Sequence, residues 1–291
     1  MQELPSTANL PVLGLSNKAT SDGTDDSPTV FLDNLTTPPL EDHLSRYTLS
    51  PELDKIYAHP SEIIALATSH SGTYIASTCK SSTSENAVIR IFDTSTQYSP
   101  IAVLPAHSLT VTKLAWSPDD KYLVSVGRDR QWSLFDTQTW QTLQVQKKAH
   151  ARIIWDVSFA PREFGAVFVT ASRDKTVKVW AGDNGIWDCV ATVKFSEAVT
   201  ACGFCGDVVV GMGIVAVGLE DGRIYLVGGG VGARGDGWMV LGEVDVDMTH
   251  SEAVTGLAWR PRSREEPGGR ELASCGDDCS VRIYGFKDSL F

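Results

Sequence analysis

Val169-Thr170-Ala171-Ser172-Arg173-Asp174-Lys175-Thr176-Val177-Lys178-Val179-Trp180 is the stretch on which the fold turns. Apolar and polar residues alternate from Val169 to Ser172 and again from Thr176 to Val179, the period-two pattern of a half-buried strand. Between the two runs stands Arg173-Asp174-Lys175, a charged turn whose aspartate can bond its own backbone. The unit therefore predicts a strand, a tight turn and a second strand closed by Trp180.

The same unit recurs on either side. Upstream, Val124-Ser125-Val126-Gly127-Arg128-Asp129 closes on Leu134-Phe135-Asp136; downstream, Ala273-Ser274-Cys275-Gly276-Asp277-Asp278 closes on Ile283-Tyr284. Each copy follows a histidine and a short apolar strand. The histidines are His59, His107, His150 and His250, and Val111 to Trp116 is the clearest strand. With Phe195 standing in for histidine in a fourth unit, successive units are 48, 43, 45 and 55 residues apart. A period of about 40–45 residues built from short strands is the signature of propeller blades. Helical spacing is nowhere sustained, so the fold class is all-β. The blades run about 59–104, 107–148, 150–193, 195–247 and 250–288, behind a leading segment, 1–58. That segment is rich in Ser, Thr, Pro, Asp and Asn and reads as partly disordered, with remnant strands at Pro11 to Leu15 and His43 to Ala58.

Composition narrows the function. The 291 residues carry 36 acids against 25 bases, a formal charge of −11. That balance opposes nucleic-acid binding through bulk charge, which needs a basic surface to release counterions. Residues 1–58 hold nine acids and three bases; residues 107–194 hold twelve bases and nine acids, a net positive window in an acidic chain. No apolar run reaches the roughly 20 residues of a membrane-spanning helix, and the start, Met-Gln-Glu-Leu-Pro, has no secretory pattern. The expectation is an intracellular protein with reduced cysteines, in which the sequon at Asn34 goes unused.

Three blades offer a recurring polar set: His107, Ser125 and Asp129; His150, Thr170 and Asp174 with Trp180; His250, Ser274 and Asp278. Histidine, aspartate and a hydroxyl together suggest a hydrolase. Repetition argues instead for a scaffold, because catalysis needs one copy and no Gly-x-Ser-x-Gly elbow accompanies them. The fourth unit has lost the set, with Phe195 and Val217 beside a remaining Asp221, and the first keeps His59 and Ser77. Cys202-Gly203-Phe204-Cys205 with Cys275 and Cys279 suggests zinc, but their places in the repeat read as small, mostly buried residues. Gly228 to Gly232 reads as an inter-strand loop, and Arg234-Gly235-Asp236 has no adhesive context. Arg128 and Arg173 immediately precede the turn aspartates, Arg130 follows Asp129, and Arg152 lies two residues beyond His150. These four arginines are the candidate partner-binding site: either they pair with Asp129, Asp156 or Asp174, or they form a patch for an acidic protein surface or an RNA phosphate.

The units resemble WD-repeat propellers, and more specific pieces resemble one family. His107-Ser108-Leu109-Thr110-Val111-Thr112, Trp116-Ser117-Pro118, Arg128 to Leu134, His150-Ala151-Arg152-Ile153-Ile154-Trp155, Ser172 to Lys175, Val215 to Glu220 and Val12 to Ala19 are similar to second subunits of the Elongator complex. The resemblance implies a longer chain with two seven-bladed propellers, of which these five recognisable blades form part of the later one, an incomplete ring. The two open sides would expose apolar blade faces that favour association. It also implies a non-catalytic subunit, cytoplasmic and nuclear, of a complex that modifies wobble uridines of tRNA at the 5 position. The polar sets would tie loop to turn within each blade. Its partners would be the catalytic subunit, which uses acetyl-CoA, S-adenosylmethionine and an iron–sulfur cluster, and the large scaffold subunit, with at most indirect tRNA contact and no membrane. No motif here binds those cofactors. The alternative is a general WD-repeat adaptor recruiting peptides or ubiquitin-ligase substrates.

Overall fold

The computed structural model describes residues 56–105, 107–183, 186–209, 211–230, 237–261 and 269–287. The chain divides into two units, Met1–Ala58 and His59–Phe291. The remnant strand expected at Pro11 to Leu15, the sequon at Asn34 and Arg234-Gly235-Asp236 lie outside the described residues, as do Val231 and Gly232; of the one expected within His43 to Ala58 only Ile56 to Ala58 are described, and they form no strand.

The second unit is all-β. Its first sheet runs β1 (Ile63–Thr68), β2 (Tyr74–Cys79), β3 (Val88–Asp93) and β4 (Ser99–Pro105). The second comprises β5 (Val111–Trp116), β6 (Tyr122–Gly127), β7 (Trp132–Asp136) and β8 (Thr142–Gln146). The third holds β9 (Ile154–Phe159), β10 (Val167–Ser172), β11 (Thr176–Asp183) and β12 (Ile186–Lys194). The fourth holds β13 (Val199–Phe204), β14 (Met212–Leu219), β15 (Ile224–Gly230) and β16 (Met239–Glu243). The fifth has three strands, β17 (Val254–Trp259), β18 (Arg270–Gly276) and β19 (Val281–Phe286). Every sheet is an antiparallel meander in chain order.

The first strand of each sheet packs on the first strand of the next, β1 on β5, β5 on β9, β9 on β13 and β13 on β17, whereas β17 and β1 do not pack together among the described residues. The sheets are thus five consecutive blades of an open propeller. Second strands such as β6 are buried almost throughout, because both faces meet a neighbouring blade. The cores lie between blades. Ile89, Ile91, Leu104, Leu114 and Phe135 fill the first interface, and Trp132, Phe168, Trp180 and Trp187 the second.

Each first strand carries a register irregularity at its second residue: Ile64, Thr112, Trp155, Thr200 and Thr255. Thr112 and Thr200 use that bulge to reach the next blade. The Thr112 hydroxyl donates to the carbonyl of Ile154 at 2.5 Å and that of Thr200 to the carbonyl of Val254 at 2.6 Å. The end blades show the expected apolar faces. Leu66 and Val103 of the first blade, and Val281 and Ile283 of the fifth, are more than half exposed.

Two expectations need correcting. Gly228, Gly229 and Gly230 belong to β15 rather than to a loop. The side chains of Leu241 and Trp238 lie across the first two, where a Cβ would collide with them. Cys275 and Cys279 are exposed, not buried, because one lies on the uncovered side of the fifth blade and the other in its turn.

Candidate functional site

In the third blade the imidazole of His150 bridges two groups. Its Nε2 lies 2.8 Å from the Thr170 hydroxyl and its Nδ1 3.0 Å from the Asp174 carboxylate. Trp180 donates its indole N–H to the same threonine at 2.9 Å, and Asp174 accepts the backbone N–H of Ala151 at 2.8 Å. The second blade repeats this with His107 bonded to Ser125 at 2.8 Å and to Asp129 at 3.0 Å. In the fifth, His250 meets Ser274 at 2.7 Å and Asp278 at 2.8 Å. All three imidazoles are inaccessible to solvent, and Ser125, Thr170 and Ser274 are buried. A hydroxyl locked between strands in this way satisfies buried polar groups and pins loop to turn; it offers no open face to a substrate.

Burial alone would raise the carboxyls of Asp129 and Asp174. Hydrogen bonds from the paired histidine, from backbone N–H groups and, for Asp174, from the Thr176 hydroxyl outweigh it and hold both below the usual carboxylate range. Burial pushes His150 down, favouring the neutral ring, although Asp174 opposes this. In the first blade His59 keeps its bond to Ser77 at 2.7 Å, but its Nδ1 is buried without a partner. In the fourth, Phe195 packs against Tyr225 with ring centroids 5.5 Å apart, and Asp221 turns to Arg223 at 3.1 Å.

Sequence reasoning missed a second hydroxyl in each of two networks. Thr176 and Ser280, two residues after the turn aspartates, donate to Asp174 at 2.6 Å and to Asp278 at 2.8 Å. The signal was present as Asp-x-Thr and Asp-x-Ser, the spacing of a side chain closing its own turn. Asp156, expected only as a partner for an arginine, has a different role, buried where three first strands meet. Asp156 accepts the backbone N–H of Cys202 at 3.0 Å and lies 3.6 Å from the Lys113 ammonium. Burial raises its carboxyl, with Lys113 working against the shift.

The four arginines lie on the loop and turn side of their blades. Arg128 and Arg173 donate their backbone N–H to the loop carbonyls of Thr110 and Ile153, each at 3.0 Å. The Arg152 carbonyl lies 3.4 Å from the Ser172 hydroxyl, which places Arg152 beside Arg173. The Arg130 carbonyl accepts the N–H of His150, linking the second blade's turn to the third blade's loop. All four side chains are exposed. The local aspartates are taken by other groups: Asp129 by His107, Ser108 and Gln131, Asp174 by His150, Ala151 and Thr176, and Asp156 by Lys113. None of the four guanidinium groups has an ion pair among the described residues. Arg130 also adopts a positive φ of 68° at a turn position where the fourth blade has Gly222 at 88°. Lys175 at 66° and Cys279 at 59° hold the same position in the third and fifth blades, so the positive φ belongs to the repeated turn.

A histidine–hydroxyl–aspartate latch recurring in the second, third and fifth of five consecutive antiparallel blades marks a WD-repeat propeller protein. The family model for the WD domain, G-beta repeat, matches residues 98–136, 140–181 and 244–285. Over 97% of its length the chain is 40% identical to the protein named Elongator complex protein 2 from Saccharomyces cerevisiae and 40% identical to that from Schizosaccharomyces pombe. It is 34% identical to the Homo sapiens protein of the same name, again over 97%. The chain is thus a WD-repeat homologue of Elongator complex protein 2, and it spans 38% of the length of the two yeast relatives and 40% of the human one.

Proposed function

We propose that this chain acts as a non-catalytic WD-repeat part of the Elongator complex, supporting 5-carboxymethyl-type modification of tRNA wobble uridines by holding the catalytic and large scaffold subunits together. The observation that carries the reading is homology, over nearly all of the chain, to proteins named for that complex. A work site in the cytoplasm and nucleus, and only indirect contact with tRNA, belong to the same proposal. The polar sets are assigned to holding the fold, and the chemistry to another subunit.

Arg128, Arg130, Arg152 and Arg173 are the residues to which partner binding is assigned. Exposed guanidinium groups without internal partners keep their full capacity for bidentate bonds to carboxylates. Charge reversal, Arg128→Glu with Arg152→Glu, is expected to cut co-purification with the catalytic and large scaffold subunits about tenfold or more, since like-charge juxtaposition at an interface costs several kcal/mol. Both side chains are exposed, so the melting temperature should not move. Unchanged recovery of both subunits by the folded double variant would reject the assignment.

A further inference from the structure

The turn position held by Arg128 and Arg173 exists in every blade. Lys80, Arg128, Arg173, Glu220 and Asp277 each donate their backbone N–H to the loop that precedes their blade, at 2.8, 3.0, 3.0, 2.9 and 2.9 Å, the acceptors being Glu62, Thr110, Ile153, Ala198 and Ala253. These five residues are therefore geometric equivalents on one rim. A second equivalent row lies two residues after each histidine or its substitute: Ser61, Leu109, Arg152, Glu197 and Glu252. In both rows the sign of charge changes between the third and fourth blades.

The second and third blades present Arg128, Arg130, Arg152 and Arg173; the fourth and fifth present Glu220, Glu252 and Asp277. All seven are exposed, and none is engaged in an ion pair among the described residues. At the boundary the two signs meet and neutralise, Lys175 lying 3.3 Å from Glu197. In the first blade Lys80 is similarly paired with Glu62 at 3.2 Å. The unpaired charge is thus sorted into a basic half and an acidic half.

We propose that this rim recognises an extended protein segment whose own charge is divided in the same way, acidic residues over the second and third blades and basic residues over the fourth and fifth. The inference rests on the arginine assignment above and deepens it. A nucleic-acid strand carries one sign along its whole length. Crossing the rim, it would gain on the arginines and then face Glu220, Glu252 and Asp277, none of which is paired with a cation among the described residues. A uniformly acidic segment meets the same repulsion. Only a segment that changes sign satisfies both halves, and the repulsive half selects against the other two.

The test uses the full chain and three fluorescent probes of matched length: a peptide with a glutamate block and a lysine block joined by glycines, an all-glutamate peptide, and a single-stranded RNA. The unmodified chain should bind the two-block peptide about tenfold more tightly than either of the others. Reversal of the acidic half, Glu220→Lys with Glu252→Lys and Asp277→Lys, should weaken the two-block peptide and tighten RNA by about tenfold each. The milder Glu220→Gln, Glu252→Gln and Asp277→Asn variant should move both in the same directions by less. The inference is overturned if the acidic-half variants leave the order of the probes unchanged, or if the unmodified chain binds RNA as tightly as the two-block peptide. Loss of all binding in Arg128→Glu with Arg152→Glu, together with silence of the acidic-half variants, would retain the arginine assignment and reject this one alone. Silence of the arginine variant on every probe would withdraw both.

Discussion

Asp174→Ala is expected to destabilise the chain by about 3 kcal/mol, because it strips a half-buried, hydrogen-bonded charge from three donors, one of them the solvent-inaccessible ring of His150. The substitution leaves His150 Nδ1, the Ala151 N–H and the Thr176 hydroxyl without the carboxylate they share. Water cannot reach the His150 ring, which is sealed between the strands, and only the Thr176 hydroxyl, 3.2 Å from Nδ1, stays within its reach. In thermal unfolding this should appear as a fall of roughly 10 °C in the melting temperature. The fourth blade supplies the internal control. Asp221 stands at the corresponding turn but faces Arg223 rather than a histidine, because Phe195 occupies that place. Asp221→Ala should therefore leave the melting temperature nearly unchanged. Equal effects from the two alanines would mean that the histidine network contributes nothing of its own.

Trp132→Ala carries the second large effect, a loss of about 4 kcal/mol from deleting a fully buried aromatic and leaving a cavity between two blades. Trp132 is shielded completely from solvent and meets Phe168 and Trp180 edge-on, with ring centroids 5.3 and 5.2 Å apart. It fills the interface between the second and third blades together with Val124, Leu134, Ile154 and Trp187, so its removal loosens the core that those blades share. Trp132→Phe tests the chemistry separately. The indole N–H of Trp132 is buried without a hydrogen-bond partner. Phenylalanine removes that orphaned donor while keeping most of the apolar surface. It should cost about 1 kcal/mol, far less than alanine, because the cavity it leaves is small. A phenylalanine variant as unstable as the alanine variant, measured by chemical denaturation, would contradict the packing argument.

Three of the four strands in each complete blade were legible because burial leaves its mark on them. β6 and β10 are flanked by blades on both sides, so the hydroxyls Ser125, Thr170 and Ser172 that alternate with their apolar residues are buried with them. The outer strands β8 and β16 are mostly exposed, so their sequences carry little hydrophobic pattern and were not predicted. The polar sets were legible through repetition, which marked His150, Thr170 and Asp174 together, whereas Thr176 and Ser280 were hidden because hydroxyls are common in turns. The role found for Asp156 was invisible for a different reason. Its role depends on Lys113 and Cys202, which lie on neighbouring blades and are brought beside it only by blade packing. The arginines could be found by sequence alone. That their local aspartates were already taken could not, since that requires the hydrogen bonds themselves. The consecutive glycines of β15 misled because glycine runs usually mean loops, and only the overlying Leu241 and Trp238 explain the first two.

The assignment to Elongator is tested most directly by affinity capture of the tagged chain from cells that express the complex, followed by identification of what comes with it. The account predicts that the catalytic subunit and the large scaffold subunit are both recovered and that both are lost together in the Arg128→Glu, Arg152→Glu variant. Recovery of neither, with unrelated proteins such as ubiquitin-ligase components in their place, would contradict it and favour a general adaptor.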